Sequence, residues 1–248
     1  MEPQHTFVPP PPAPRKTSPW VYVGCGCALL VLILAGAGVL VFKKISEEGH
    51  KFHEGMTNPK VREERAKALL AYSDLPPGYY PAGALSIPFV FDMVMLGDHA
   101  TAGTGQPDLG DHGFVFIKMR LGRMADSAEG RRRMLSGING QSSWEQGSGL
   151  HIDSHETLGD GEIDGGGTKL LYRATRGDIQ LNKQRHRGIS CVIVPECPDR
   201  RIRIGIWFAP DPAPDQPASS LDKTGTPADP RAIAAFADHF RLCAQEGE

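Results

Sequence analysis

Apolar positions fall along this chain in three successive patterns, and each pattern predicts a different kind of structure. From Trp20 to Phe42 no side chain is charged and most are apolar. At roughly 1.5 Å of helical rise per residue, such a run extends about 34 Å, enough to cross a hydrocarbon core of roughly 30 Å with some tilt. Trp20 and Tyr22 stand at one end, where interfacial anchors stand, and Arg15/Lys16 and Lys43/Lys44 bracket the run. A core helix of a water-soluble domain would keep a polar stripe. A cleaved signal peptide would have a shorter apolar run, followed by a small-residue cleavage site. The pattern therefore predicts a single transmembrane helix over residues 20–42.

The second pattern has the period of an amphipathic helix. Asn58-Pro59 reads as an N-cap followed by proline at the first helical position. Val61, Ala68, Leu69 and Tyr72 supply an apolar stripe over residues 59–73, and Asp74-Leu75-Pro76-Pro77-Gly78 ends the helix. From there to about residue 209 the period shortens towards two. The candidate strands are Ala84–Ile87, Phe89–Leu96, Gly113–Leu121, His151–Leu158, Lys169–Thr175, Ile189–Val194 and Arg201–Phe208, with a short helix around Arg131–Ser136. The last strand alternates most cleanly: Ile202, Ile204, Ile206 and Phe208 share one face. Residues 209–228 hold five prolines and no period, as a surface connection would. Asp229 then caps a final helix with Pro230 first in it, and Ile233, Phe236, Ala237, Phe240 and Leu242 give that helix its apolar side.

These elements predict an α+β domain: an antiparallel sheet backed, in two layers, by an N-terminal and a C-terminal helix and preceded by one transmembrane helix. The order is similar to that of the PsbP/Mog1-like fold, in which a curved antiparallel sheet is backed by helices. The resemblance lies in element order without a shared motif, so it implies an architecture and no activity. The expected organisation is a Pro-rich disordered tail (1–19), the membrane helix (20–42), a polar stalk (43–58) and a water-soluble domain (59–245). The tail contains Val8-Pro9-Pro10-Pro11-Pro12-Ala13-Pro14, which is polyproline-II material.

Charge narrows the partners. Residues 45–248 hold 23 of the 27 Lys and Arg and 28 of the 29 Asp and Glu, a net charge of −5. A mildly acidic domain argues against nucleic acid, which binds to basic faces. Counted over flanking loops, the basic residues would place the domain in the cytoplasm. Long domains nevertheless cross regardless of charge, and a short basic stretch before a first apolar run resembles a signal anchor. The expectation is a domain outside the cytoplasm.

Few residue groups carry chemistry. In His151-Ile-Asp153-Ser-His155-Glu156 the alternate residues His151, Asp153 and His155 share a strand face. Neighbours two apart can bind one metal ion. The outer pair lies about 13 Å apart at a strand rise of roughly 3.3 Å, so further ligands are required, with His99, Asp111 and His112 as candidates. Asp160-Gly-Glu162-Ile-Asp164-Gly165 begins like a calcium loop, but Leu171 stands where the bidentate glutamate belongs. Gly165-Gly166-Gly167 reads better as a hairpin tip. The Gly103–Gly110 loop lacks a phosphate-binding Lys-Ser/Thr, and no G-x-S-x-G elbow is present.

Cys191 falls within an apolar strand and reads as buried, not nucleophilic. With Cys197 and Cys243 it leaves open either three thiols or one bridge and one thiol, and Cys191 and Cys197 are the candidate pair. Arg131-Arg132-Arg133 reads as solvated surface or as a contact for lipid headgroups. No cofactor is implied. The leading expectation is a non-catalytic binding module of the cell envelope, held to membrane lipid through residues 20–42 and engaging a protein partner. The alternative is a membrane-anchored, metal-dependent hydrolase using His151, Asp153 and His155.

Overall fold

The computed structural model describes residues 57–87, 90–100, 109–119, 127–138, 150–181, 184–199 and 201–244. The chain divides into two units, Met1–Glu47 and Glu48–Glu248, and every described residue belongs to the second. The tail, the expected membrane helix at 20–42 and residues 43–56 of the stalk lie outside the described residues. Among the described residues no helix is long and apolar enough to cross a membrane.

The first helix, α1 (Pro59–Leu70), starts where its cap predicts: the Asn58 side chain accepts from the Lys60 backbone N–H at 3.1 Å, with proline in the first turn. It ends at Leu70 because Ala71 turns left-handed (φ 47°) and closes on the Lys67 carbonyl. The buried stripe is Arg62, Ala66 and Leu70, with Val61 and Leu69 partly covered and Ala68 exposed. The helix is therefore rotated from the face that apolar residues alone suggest. An arginine occupies the inward row and gives its charged end a partner, the Ala82 carbonyl at 3.2 Å.

The seven expected strands are all present: β1 (Tyr80–Ile87), β2 (Phe91–Gly97), β3 (Gly113–Met119), β4 (Leu150–Gly165), β5 (Thr168–Leu181), β6 (Gln184–Pro195) and β7 (Ile202–Pro210). A second helix, α2 (Ala128–Ile138), lies between β3 and β4, and α3 (Pro230–Ala237) follows β7. They form one sheet in the order β1-β2-β3-β7-β6-β5-β4, with every neighbouring pair antiparallel. A three-strand meander and a four-strand meander are thus joined where β7 closes against β3.

β4 and β5 run far beyond the lengths their alternation suggests, to 16 and 14 residues. The acidic stretch that mimics a calcium loop lies within β4, with Glu162 opposite Leu171 and Asp164 opposite Lys169. Gly166 (φ 60°) and Gly167 (φ 74°) form the two-residue turn between the strands, a geometry closed to most side chains.

Both sheet faces are covered. On one face, α1 and α3 share an apolar cluster with Phe114, Tyr172, Ile193 and Trp207, and Phe236 of α3 stacks on Trp207 at 4.5 Å between ring centroids. The approach is close enough that a Cβ on Gly205 would stand 2.8 Å from the Phe114 ring. Asp229 caps α3 through the Arg231 N–H at 3.0 Å, as its sequence predicts. On the other face Leu135 of α2 packs with Leu171, Val192, Ile204 and Ile206. The expected two layers accordingly become a sheet with two helices behind it and one short helix in front.

Central β7 carries the consequence of double burial. Its odd-numbered positions, which alternation alone assigns to a polar side, are covered as well, and Arg203 is only 1% exposed. Asp199 meets it with both carboxylate oxygens, at 2.5 and 2.7 Å.

Candidate metal centre and the polar edge of the sheet

The helix-covered face of β5 changes character along the strand. Leu170, Tyr172 and Ala174 are buried under helix, Arg176 is buried as well, and Asp178 and Gln180 emerge towards solvent. Register places Asp153 of β4 opposite Asp178, and Gln180 opposite Arg185 of β6. Beside the Asp153–Asp178 pair β4 bulges. Ser154 faces Gly177 and Glu156 faces Arg176, which leaves His155 as the extra residue. A bulge re-aims the side chains around it. Here it brings the His155 imidazole Nε2 to 3.0 Å from Asp178 Oδ2.

Asp153, His155 and Asp178 each bring one ligand atom to within 4.8 Å of the others, the set of this kind found among the described residues. Arg185 closes the group, its Nη2 2.6 Å from Asp178 Oδ2 and 3.7 Å from Asp153 Oδ2. The hydrogen bond from His155, and then the Arg185 guanidinium, hold the Asp178 carboxyl below the usual carboxylate range. Of the three histidine and aspartate positions expected from the sequence, the structure gathers Asp153 and His155 but not His151, which lies opposite Gln180 one pleat further along. Asp178 takes the third place. Sequence periodicity could not supply it, because it comes from the neighbouring strand.

The other expected ligands assemble elsewhere. Asp98 accepts backbone N–H groups from Asp111 (2.8 Å) and His112 (3.4 Å), and its carboxylate meets His99 Nδ1 at 2.5 Å and His112 Nδ1 at 3.4 Å. Burial raises the Asp98 carboxyl, but the hydrogen bonds from His99, Asp111 and His112 together prevail and keep it low. Beside them, the Tyr79 hydroxyl accepts from Trp207 Nε1 at 2.7 Å, and its ring meets His112 edge-on. Burial pushes the Tyr79 phenol up to about 12, so it stays protonated. Asp98 is thereby engaged in closing the β2–β3 loop.

The cysteines pair differently from the expectation. Cys197 is bonded to Cys243, 46 residues away, with Cα atoms 5.3 Å apart, and Cys191 is a free, fully buried thiol. The Cys191–Cys197 pairing is corrected for a simple reason. β6 runs extended from Cys191 at roughly 3.3 Å per residue, which carries the two sulfurs beyond bonding range despite their nearness in sequence. The actual bridge ties the β6–β7 loop to the segment after α3. Burial drives the Cys191 thiol well above its ordinary range, so it is no nucleophile.

Two further polar groups escaped the sequence reading. Arg176, 1% exposed, gives Nε to Asp211 Oδ2 (2.5 Å), Nη1 to the Gln216 carbonyl (2.6 Å) and Nη2 to the Ala213 carbonyl (2.6 Å). It pins the proline-rich connection to the sheet. On the opposite face, Ser154, Thr175 and Ser190 form a hydroxyl ladder with steps of 3.0 Å. The basic run of α2 is ion-paired: Arg131 with Glu196, Arg132 with Glu162 and Arg133 with Glu129. No protein-family model, no curated protein and no solved structure matches the chain.

Proposed function

We propose that this protein is a single-pass, membrane-tethered binding module of the cell envelope, with the sheet domain outside the cytoplasm. The tether rests on the uncharged run 20–42 and its basic and aromatic flanks. The Cys197–Cys243 bridge carries the sidedness, since disulfides persist in oxidising compartments and are rare in the cytosol. A non-catalytic role is favoured by how the reactive groups are used. Cys191 is sealed in the core, the Ser154, Thr175 and Ser190 hydroxyls bond one another, and the Asp178 carboxylate is held by His155 and Arg185. The PsbP/Mog1-like order of elements belongs to the same reading as an architecture alone. The metal-dependent hydrolase is the second reading, favoured by the ligand set of Asp153, His155 and Asp178.

The test is thiol trapping in intact cells. Rapid alkylation of the full-length chain, followed by denaturation, is expected to leave two cysteines that react only after reduction, and the chain is expected to stay with membranes through an alkaline wash. Five thiols modified without reduction would place the domain in the cytoplasm. A chain that washes free uncut would remove the tether.

A further inference from the structure

We infer that Asp153, His155 and Asp178 form a binding site for one divalent transition-metal ion, zinc by donor type, at a position that the Arg185 guanidinium fills in its absence. This goes beyond the tethering and holds on either side of the membrane. The geometry is the first support. Two donors bound to one zinc at roughly 2.0–2.1 Å in tetrahedral array stand about 3.3 Å apart. His155 Nε2 and Asp178 Oδ2 already lie 3.0 Å apart, and Asp153 completes a set within 4.8 Å. The donors sit on paired strands, and the bulge at His155 sets the imidazole towards the carboxylates, so little ordering remains for the ion to impose.

The donor chemistry is the second support. One imidazole nitrogen with two carboxylates suits zinc and its neighbours in the first transition row. Calcium wants six to eight oxygens, and magnesium keeps an octahedron of oxygens, so neither matches. Three protein donors on an exposed strand pair leave a fourth position open to water or to an incoming ligand. The third support is the guanidinium itself. Arg185 lies 2.6 Å from Asp178 Oδ2 and 3.7 Å from Asp153 Oδ2, bridging the same two carboxylates that an ion would bridge. Its side chain is 58% exposed and can swing away into solvent, where its charge would flank whatever ligand occupies the open position. The metal and the arginine compete.

Competition gives the proposal its signature. Tag-free full-length protein in detergent, stripped of metal, is titrated with zinc ion alone by calorimetry. One saturable site is expected. His155→Ala and Asp178→Asn are each expected to weaken it more than about a hundredfold, beyond the reach of a lost outer-shell partner. Arg185→Gln is expected to tighten it about two- to fivefold, the size of an exposed ion pair. The three variants without metal should remain cooperatively folded, with unfolding midpoints close to the parent's, since the contacts they lose are exposed or partly exposed. Absence of saturable binding at millimolar zinc would overturn the proposal. So would binding that survives both His155→Ala and Asp178→Asn, because the ion would then sit elsewhere, and so would binding that weakens in Arg185→Gln.

Discussion

Arg176 and Arg185 project from the same sheet face on neighbouring strands, and each reaches an aspartate, yet the two pairs share little else. Arg176 and Asp211 are 1% and 0% exposed, and the guanidinium holds two loop carbonyls besides. Arg185 and Asp178 are 58% and 28% exposed, and a histidine shares the carboxylate. Identical chemistry gives a structural fastening in one place and an exchangeable contact in the other. The difference lies in the cost of leaving either partner alone. A buried charge without its partner has no water to turn to, whereas an exposed one is hydrated at once.

Breaking the buried pair should therefore have the largest effect. Arg176→Ala is expected to destabilise the domain by about 3–5 kcal/mol in denaturant unfolding, because the buried Asp211 carboxylate loses its cation and two loop carbonyls lose the guanidinium together. A loss under about 1 kcal/mol would mean that solvent reaches the pair. The Cys197–Cys243 bridge fastens the opposite end of β7, where the β6–β7 loop meets the segment after α3, and replacing both cysteines with serine is expected to cost about 2–4 kcal/mol.

Asp199 and Arg203 sharpen the comparison as an intermediate case, 16% and 1% exposed. The hydrogen bonds from Arg203 hold the Asp199 carboxyl below its ordinary value. Its stabilisation is thus complete above the unfolded aspartate value of roughly 3.9 and is lost as pH falls through the lower folded value. Asp199→Asn is expected to cost about 1–2 kcal/mol at neutral pH. It should also flatten the fall in stability below about pH 4, read from urea midpoints across an acid series. The smallest effect belongs to the exposed pair. Arg185→Ala is expected to change stability by no more than about 1 kcal/mol, with that change reduced further in high salt.

The elements were legible because their signals are local. Caps at Asn58 and Asp229, proline after each cap, alternation in β7 and the triple glycine between β4 and β5 all act within a turn or two of chain. Errors arose where burial contradicts polarity. Arg62 sits in the inward row of α1, and Arg203 sits in a strand covered on both sides. Period analysis reads both as solvent-facing, since it cannot know that a carbonyl or an aspartate waits for them. Strand length failed for a related reason. The acidic, glycine-rich half of β4 has poor strand propensity and is held in line by pairing with β5.

By itself, then, the sequence determined the starts of α1 and α3, the presence of the seven strands and the hairpin turn, each through interactions among neighbours in the chain. Tertiary structure decided that β3 meets β7, that Cys197 meets Cys243, that a bulge turns His155 towards Asp178, and that Arg176 lies buried while Arg185 does not. Those outcomes depend on which distant strands exchange hydrogen bonds and in what register. A shift of one residue would carry every side chain to the opposite face. Asp178 lies on a different strand from Asp153 and His155, so their meeting was fixed only when β5 paired with β4.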